Sequence, residues 1–301
     1  MSLLVTGSIG IDTVEAPSGK VADALGGSSV YFSYAAGFFG PVRFVGVVGD
    51  DCPDDFLKPL HDHPNIDMAG LEVRKGSKTF RWHGKYHEDV NERDTVAVDL
   101  NVLAEAGPTI PEAFRDSKYV FLANTHPALQ AELLGQLTAP DLVVADTMDL
   151  WIKAERQSLM GLMERIDGLV LNDSEAKLLT GRQNVVAAGG EIAEKVRRFV
   201  VVKKGEHGSL LFADGRVFTF PAFPAVDVID PTGAGDSFAG AMMGFLAGRG
   251  NIDTATLRRA IACGTVTASF NLEDFSLNRL FQIGRSDIEN RLKQFEELTR
   301  F

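Results

Sequence analysis

Short runs of apolar residues alternate with longer stretches in which apolar positions recur every three or four residues. Leu3–Val5, Phe44–Val48, Tyr119–Ala123, Leu142–Ala145, Gly168–Leu171 and Phe199–Val202 contain few alternating polar positions. Runs of that kind are expected where helices cover both faces of a strand. Between them, Ser28–Phe39, Ala128–Leu137, Glu155–Ile166 and Glu191–Arg198 read as helices. The alternation predicts an α/β fold around a mostly parallel sheet. Two stretches break the rhythm. Asp12–Leu25 is polar and turn-rich, while Lys75–His87 and Thr95–Leu100 read as strands around a polar turn at Glu88–Asp94. Phe80, Trp82, Lys85 and Tyr86 mix too evenly for a fully buried strand. These segments, near 12–27 and 68–100, are expected to form a small β-layer, a lid, inserted in one domain over residues 1–301.

Composition narrows the function. At 301 residues, with 45% hydrophobic and 24% charged residues, the chain has the apolar content of a globular protein and not of a disordered one. A formal charge of −11 argues against a nucleic-acid partner, yet backbone amides can still bind a small anion. Cys52 and Cys263 make neither a CxxC metal cluster nor a disulfide framework. The start of the sequence lacks a basic segment, and no apolar run approaches the ~18 residues of a membrane span, so a cytoplasmic location without a membrane partner is expected. The 30 glycines follow no period and read as local backbone devices.

The most informative segment is Asp227-Val-Ile-Asp-Pro-Thr-Gly-Ala-Gly-Asp-Ser-Phe-Ala-Gly240. A short β-like run ends at Asp230, and Pro231, lacking an N–H, stops it. Gly233, Ala234 and Gly235 follow, and an amphipathic helix is expected from Asp236, with Phe238, Ala239, Met242, Met243 and Leu246 on its buried face. Free amides and the macrodipole at such a helix start favour an anion. Asp236 beside it could accept a proton from an attacking hydroxyl. Singly, these residues also read as a helix-capping carboxylate and a tight turn.

The run DPTGAGD before an apolar helix resembles the C-terminal signature of the PfkB/ribokinase family of carbohydrate kinases. The resemblance continues in order along almost the whole chain, at Gly7–Asp12, Gly26-Gly27, Gly46–Asp51, Asn172–Glu175 and Lys203–Gly208. It implies a ribokinase-like three-layer α/β/α fold with a β-sheet lid, and ATP and Mg²⁺ as cofactors. It implies transfer of the γ-phosphate of ATP to a hydroxymethyl group, with Asp236 as general base and an anion hole at Gly233, Ala234 and Gly235. Asp12, Gly26, Gly27, Tyr31 and Asp230 fall at its substrate positions, and Asn172, Lys203, Gly205 and Gly208 at its nucleotide positions. Asn172 and Glu175 would organise the metal through water, although they equally form a capping box before a helix ending at Gly181. Lys203 also reads as a solvated charge at a strand end.

Ribokinases and many relatives place an asparagine where this chain has Tyr31, and a phenol cannot copy an amide's paired donor and acceptor. Tyr31 could stack on a sugar or base, with Phe80 and Trp82 on the same wall, or could be core. A nucleoside kinase therefore stands beside a sugar kinase, and a catalytically silent sugar-binding sensor is the reading from another class. Asp230-Pro231-Thr232 replaces the family's commoner Asp-Thr-Thr, which leaves activation by a monovalent cation open. Aromatic residues on a half-exposed β-layer could pair two copies into a homodimer through the lid. Other chemistry lacks support: His83 and His87 in a strand would stand about 13 Å apart at ~3.3 Å per residue, too far to share a metal. His61 and His63 read as surface residues, and the chain has no P-loop, HExxH, GxSxG or early GxGxxG.

Overall fold

The computed structural model describes residues 1–300. In chain order the strands are β1 (Leu3–Thr6), β2 (Gly10–Ala16), β3 (Gly19–Gly26), β4 (Val42–Gly49), β5 (Ile66–Arg74), β6 (Phe80–Tyr86) and β7 (Arg93–Asp99). They continue as β8 (Tyr119–Leu122), β9 (Leu142–Asp146), β10 (Gly168–Asn172), β11 (Phe199–Lys203), β12 (Ser209–Ala213) and β13 (Arg216–Phe220). The helices are α1 (Ser28–Gly37), α2 (Lys58–His61), α3 (Pro127–Gly135), α4 (Asp149–Ala154), α5 (Arg156–Met163), α6 (Asp173–Thr180), α7 (Val185–Ala193), α8 (Ala234–Arg249), α9 (Thr254–Asn271) and α10 (Arg285–Leu298).

Nine strands join in the order β13-β12-β11-β10-β9-β8-β1-β4-β5. All neighbours from β11 to β5 are parallel, and β12 and β13 close one edge antiparallel. Side chains alternate between the two faces, so Leu3 and Val5 of β1 enter one core and Leu4 the other. Helices α1, α8, α9 and α10 supply the first core, with Phe32, Phe238, Val266 and Leu292; α5, α6 and α7 supply the second, with Leu159, Leu179 and Ile192. A second sheet of four strands, β3-β2-β6-β7, stands apart from the large one. This is a ribokinase-like α/β fold with helices on both sides of the large sheet.

Three features position the site. The chain leaves β1 and returns through β4 and β5 on one side, while β8 to β11 extend the sheet on the other. Ligands of open α/β sheets bind at such a switch, beyond the carboxyl ends of the strands. Helices α1 and α8 also meet backbone to backbone. A Cβ at Gly240 would collide with the Phe32 carbonyl oxygen, and one at Gly244 would come within 2.8 Å of that of Ala36. Finally, Asn271 at the end of α9 ties down the chain before α8. Its Nδ2 donates to the Thr232 carbonyl (2.7 Å), and its Oδ1 lies 3.1 Å from the Ser237 hydroxyl.

Several elements differ from the sequence expectation. Asp12–Leu25, read as polar and turn-rich, is most of the β2–β3 hairpin, within the small β-layer expected for it. Of the segment expected as lid at 68–100, the part up to Arg74 belongs to β5, paired parallel with β4 in the large sheet. The helix expected at Glu191–Arg198 lies earlier, as α7, because the Asn184 side chain accepts the amides of Val186 and Ala187 and starts it there. No strand precedes Pro231; the amide of Ile229 instead donates to the Leu272 carbonyl (2.8 Å). Helix α8 starts two residues before Asp236, at Ala234, because Gly233 adopts a left-handed φ of 76° and caps it. His63 is half-buried against Tyr34 and is no surface residue.

Candidate active site

An open cavity of about 1610 Å³ runs over the carboxyl ends of the central strands, under the small sheet. Asp12, Gly27, Tyr31, Asn172, Glu175, Lys203, Gly205, Gly208 and the Gly233–Asp236 turn all border it. Gly26 and Asp230 lie behind that wall. A Cβ on Gly26 would collide with the Asp12 carboxylate. Asp230 is fully buried, accepting the amides of Thr232 (2.8 Å) and Ser276 (3.2 Å). Residues separated by more than two hundred positions in the chain thus meet at one place.

The start of α8 is built around Gly233. Any other residue would be strained at its φ and would drive a Cβ into the Tyr31 ring directly beneath. Tyr31 itself is 2% exposed, a floor under the turn with its hydroxyl against Ser276. The Ala234 amide donates to the Pro231 carbonyl (3.2 Å). The amides of Gly233 and Gly235 have no partner among the described residues. Lys203 covers this turn from the sheet: a Cβ on Gly235 would lie 2.6 Å from its Nζ. Its position follows from register, since β11 pairs with β10 so that Lys203 stands beside Asn172.

Asn172 and Glu175 form the capping box in full. Asn172 Oδ1 accepts the Glu175 amide (2.8 Å) and Glu175 Oε2 accepts the Asn172 amide (2.7 Å). Glu175 is 9% exposed and still borders the cavity, so one side chain caps α6 and faces the site at once. Across the cavity, Gly27 has φ 100°, and a Cβ there would reach 2.5 Å from the Ser8 carbonyl oxygen. Asp12 is buried, and its Oδ1 has no hydrogen-bond partner among the described residues.

Burial sets the electrostatics. It pushes Asp12 up to about 8, helped by the charges of Asp230 and Asp236. Burial also raises Asp236, to about 6, against the opposing pull of Lys203 and Arg93. Glu175 is raised by the same cause and opposed chiefly by Lys203.

Sequence reasoning passed over two charged members of the site. Asp146 ends β9, is 5% exposed, and has an unpartnered Oδ1. Burial and the charge of Asp236 hold it well above the usual carboxylate range. The signal was available: Asp146, Asn172 and Lys203 end three adjacent strands whose apolar runs had been read. Arg93, the first residue of β7, sits with its guanidinium 5.3 Å from the Trp82 ring, close enough that its charge is felt by Asp236 and Glu175. Tyr86 of the same sheet reaches down to Thr232, the two hydroxyls 3.2 Å apart. Nothing in the polar turn around Arg93 marks it in sequence. Among the described residues no cluster of three or more His, Cys, Asp or Glu side chains is arranged to hold a metal unaided.

The model of the pfkB family carbohydrate kinases matches residues 25–280, and the chain belongs to that family. A cytidine kinase of Thermococcus kodakarensis is 31% identical over 255 residues, covering 82% of this chain and 88% of the relative. An aminoimidazole riboside kinase of Salmonella typhimurium is 25% identical over 286 residues, 88% of each chain. Among solved structures, a nucleoside kinase of Burkholderia thailandensis with inosine superposes with a TM-score of 0.77 at 21% identity, covering 97% of this chain and 98% of the other. A ribokinase of Thermotoga maritima does so with 0.75 at 22%, covering 97% and 99%. Relatives of this chain are sugar and nucleoside kinases, and the chain is a carbohydrate or nucleoside kinase. Among the described residues no helix is long and apolar enough to cross a membrane.

Proposed function

We propose that the chain transfers the γ-phosphoryl group of ATP to a hydroxymethyl group of a sugar or nucleoside, with Asp236 as general base. The observation that carries this reading is the pairing of bare amides at Gly233 and Gly235 with the Asp236 carboxylate at one helix start, under the Lys203 ammonium. Asp236 takes the hydroxyl proton as the oxygen attacks the γ-phosphorus. The bond from that phosphorus to the β,γ-bridging oxygen breaks, and ADP leaves. A carboxylate at about 6 is a stronger base than free aspartate and is still ionised at neutral pH. The Gly233–Gly235 turn, Lys203 and Arg93 meet the charge on the phosphoryl oxygens from helix, sheet and small sheet, the positioning on which phosphoryl transfer depends.

Asp12 and Gly27 hold substrate hydroxyls, Gly26 leaves the Asp12 carboxylate its space, and Tyr31 supports the turn from below. Asp230 fixes Thr232 behind the wall, while Asn172, Gly205 and Gly208 border the nucleotide. Residues 1–301 form one kinase domain in this reading, and the small sheet is its lid, closing the site against water. Val96, exposed on the outer strand of that sheet, supports pairing of two lids in a homodimer.

Kinases of this family use ATP with a divalent metal. The site offers hard oxygen donors for magnesium: Glu175, with one oxygen outside the capping box, and the unpartnered Oδ1 of buried Asp146. Asn172 and Glu175 would hold the ion through water. When bound it would neutralise charge on the nucleotide phosphates.

An ADP-release screen across pentoses, hexoses, ketoses and nucleosides tests the reading. We expect at least one acceptor, and a kcat about 10³-fold lower in Asp236→Asn with little change in the KM for ATP. Turnover by Asp236→Asn near the wild-type rate would sink the mechanism. No ATP-dependent product with any acceptor would favour a silent sugar-binding sensor.

A further inference from the structure

The cavity extends past the substrate-side residues to a wall at the carboxyl ends of β8 and β9 that phosphoryl transfer leaves unused. Asn124, His126, Met148 and Trp151 build it, and all four border the cavity. We propose that this wall is a subsite for the heteroaromatic base of a nucleoside, with Asn124 donating a hydrogen bond to an acceptor on the edge of the base. The proposal rests on the kinase reading and names the substrate class for it.

The chemistry of the wall follows from its hydrogen bonds. Trp151 Nε1 lies 3.0 Å from Asn124 Oδ1. An indole N–H can only donate, so the amide oxygen must face Trp151 and the NH₂ must face the other way. One of its two hydrogens goes to the Met148 sulfur, at 3.1 Å. The second has no partner among the described residues. His126 has nothing polar left to offer. Its Nδ1 accepts the Ala128 amide (3.1 Å), so Nε2 carries the hydrogen, 3.4 Å from Glu155 Oε1. Only the face of that ring remains, tilted against Trp151 with centroids 5.1 Å apart.

Two aromatic faces, a thioether and one free amide hydrogen are poor company for a polyhydroxylated sugar, which demands donors and acceptors around its rim. They suit a flat ring bearing an acceptor. Placement agrees. Asp12 borders the cavity beside Gly26 and Gly27, and is near enough to Asp236 for its charge to be felt. The Ser28 hydroxyl, one residue beyond Gly27, donates to the Asn124 carbonyl (3.3 Å). In a ribofuranoside the hydroxymethyl group and the base leave opposite ends of the ring. A furanose held at Asp12 with its hydroxymethyl toward Asp236 directs its anomeric substituent to the Asn124 wall.

The test compares kcat/KM for two probe nucleosides, cytidine and inosine, with that for free ribose and fructose. It uses ADP release by the full chain and its Asn124→Asp and Trp151→Phe variants. Asn124→Asp is isosteric and still accepts from Trp151, but has no amide hydrogen, so it tests the wall without emptying it. We expect at least one nucleoside to exceed both free sugars in wild type, and Asn124→Asp to lower the nucleoside-to-sugar ratio about 10- to 100-fold. Trp151→Phe keeps a ring and should lower the ratio less. Sugars turned over as well as nucleosides, or a ratio indifferent to Asn124→Asp, would overturn the subsite and leave the kinase intact. If nothing is phosphorylated, the kinase reading fails, and calorimetric titration with the same nucleosides without ATP decides the subsite. Binding weakened by Asn124→Asp supports it, and no binding overturns it.

Discussion

The floor of the cavity, formed by the ends of β9, β10 and β11 and the first turn of α8, is held quite differently from its roof, the small sheet. On the floor each group is fixed by structure that has its own reasons to exist. Asn172 and Glu175 are locked by a capping box, Lys203 by strand register, and Asp236 by a helix whose start is set by Gly233. The roof ends in β7, exposed along its whole length, where the Arg93 guanidinium rests over the Trp82 ring of β6 and Thr95 accepts the indole N–H. It reaches the Thr232–Asp236 turn through the contact of Tyr86 with Thr232. Groups that must be aligned before reaction sit where packing has already ordered them. In the proposed reaction, groups that admit and then enclose a substrate would sit where ordering is left to the ligand.

That contrast can be broken. The largest effect should come from Gly233→Ala on the floor. The left-handed φ and the Tyr31 ring both oppose a Cβ, so kcat should fall at least about 100-fold and Tm by about 3 °C or more, read by ADP release and calorimetry. Arg93→Ala on the roof should lower kcat/KM about 10- to 100-fold, yet leave Tm within about 1 °C, because an exposed residue supports little of the fold. If the roof variant melted earlier than the floor variant, the contrast would be wrong.

The pH dependence sharpens it further. As the proposed general base, Asp236 would work only as the carboxylate, and with its carboxyl pushed up to about 6, kcat should rise roughly tenfold per pH unit up to about pH 6 and then level off. Lys203 and Arg93 both pull Asp236 downward, and Lys203 is the stronger. Lys203→Met should therefore move the midpoint of that profile to higher pH, and Arg93→Ala should move it less.

A separate effect concerns stability and not turnover. Asp12 is raised to about 8 in the folded chain, well above its unfolded value of about 3.8, so the folded state holds a proton the unfolded state has released. Stability from this group falls as pH climbs from about 4 to about 8 and is flat beyond both limits. Asp12→Asn removes that loss. The ligand-free variant should melt above wild type at pH 8, the gap closing toward pH 4, while its acceptor KM rises. A gap that widens on acidification would contradict the buried, proton-holding Asp12.

How far the sequence alone leads depends on the range of the interactions. The apolar runs of β1, β4, β8, β9, β10 and β11 announce a parallel sheet because burial on both faces excludes polar positions locally. The turn at Gly233–Asp236 and the box at Asn172–Glu175 are legible because each is complete within a few residues. The β2–β3 hairpin was legible as part of a β-layer but not as two separate strands, since β3 is largely exposed and alternates only weakly. Asp146 looked like any residue closing a strand; its role comes from lying two strands away from Lys203. Arg93 and the Asn124–Trp151 wall are assembled only by folding, from segments with no local pattern to declare them.

The bare seam where α8 crosses α1 has a consequence for how such a molecule can change over generations. Gly240 and Gly244 bring the two backbones into contact, so the helix that starts beside Gly27 and the one that starts at Gly233 are held together. A lineage exploring new acceptors must leave that pair alone. On the proposed reading its freedom lies in the exposed strand overhead and in the Asn124 wall, where a single replacement would alter what is welcomed without disturbing how the phosphate is passed.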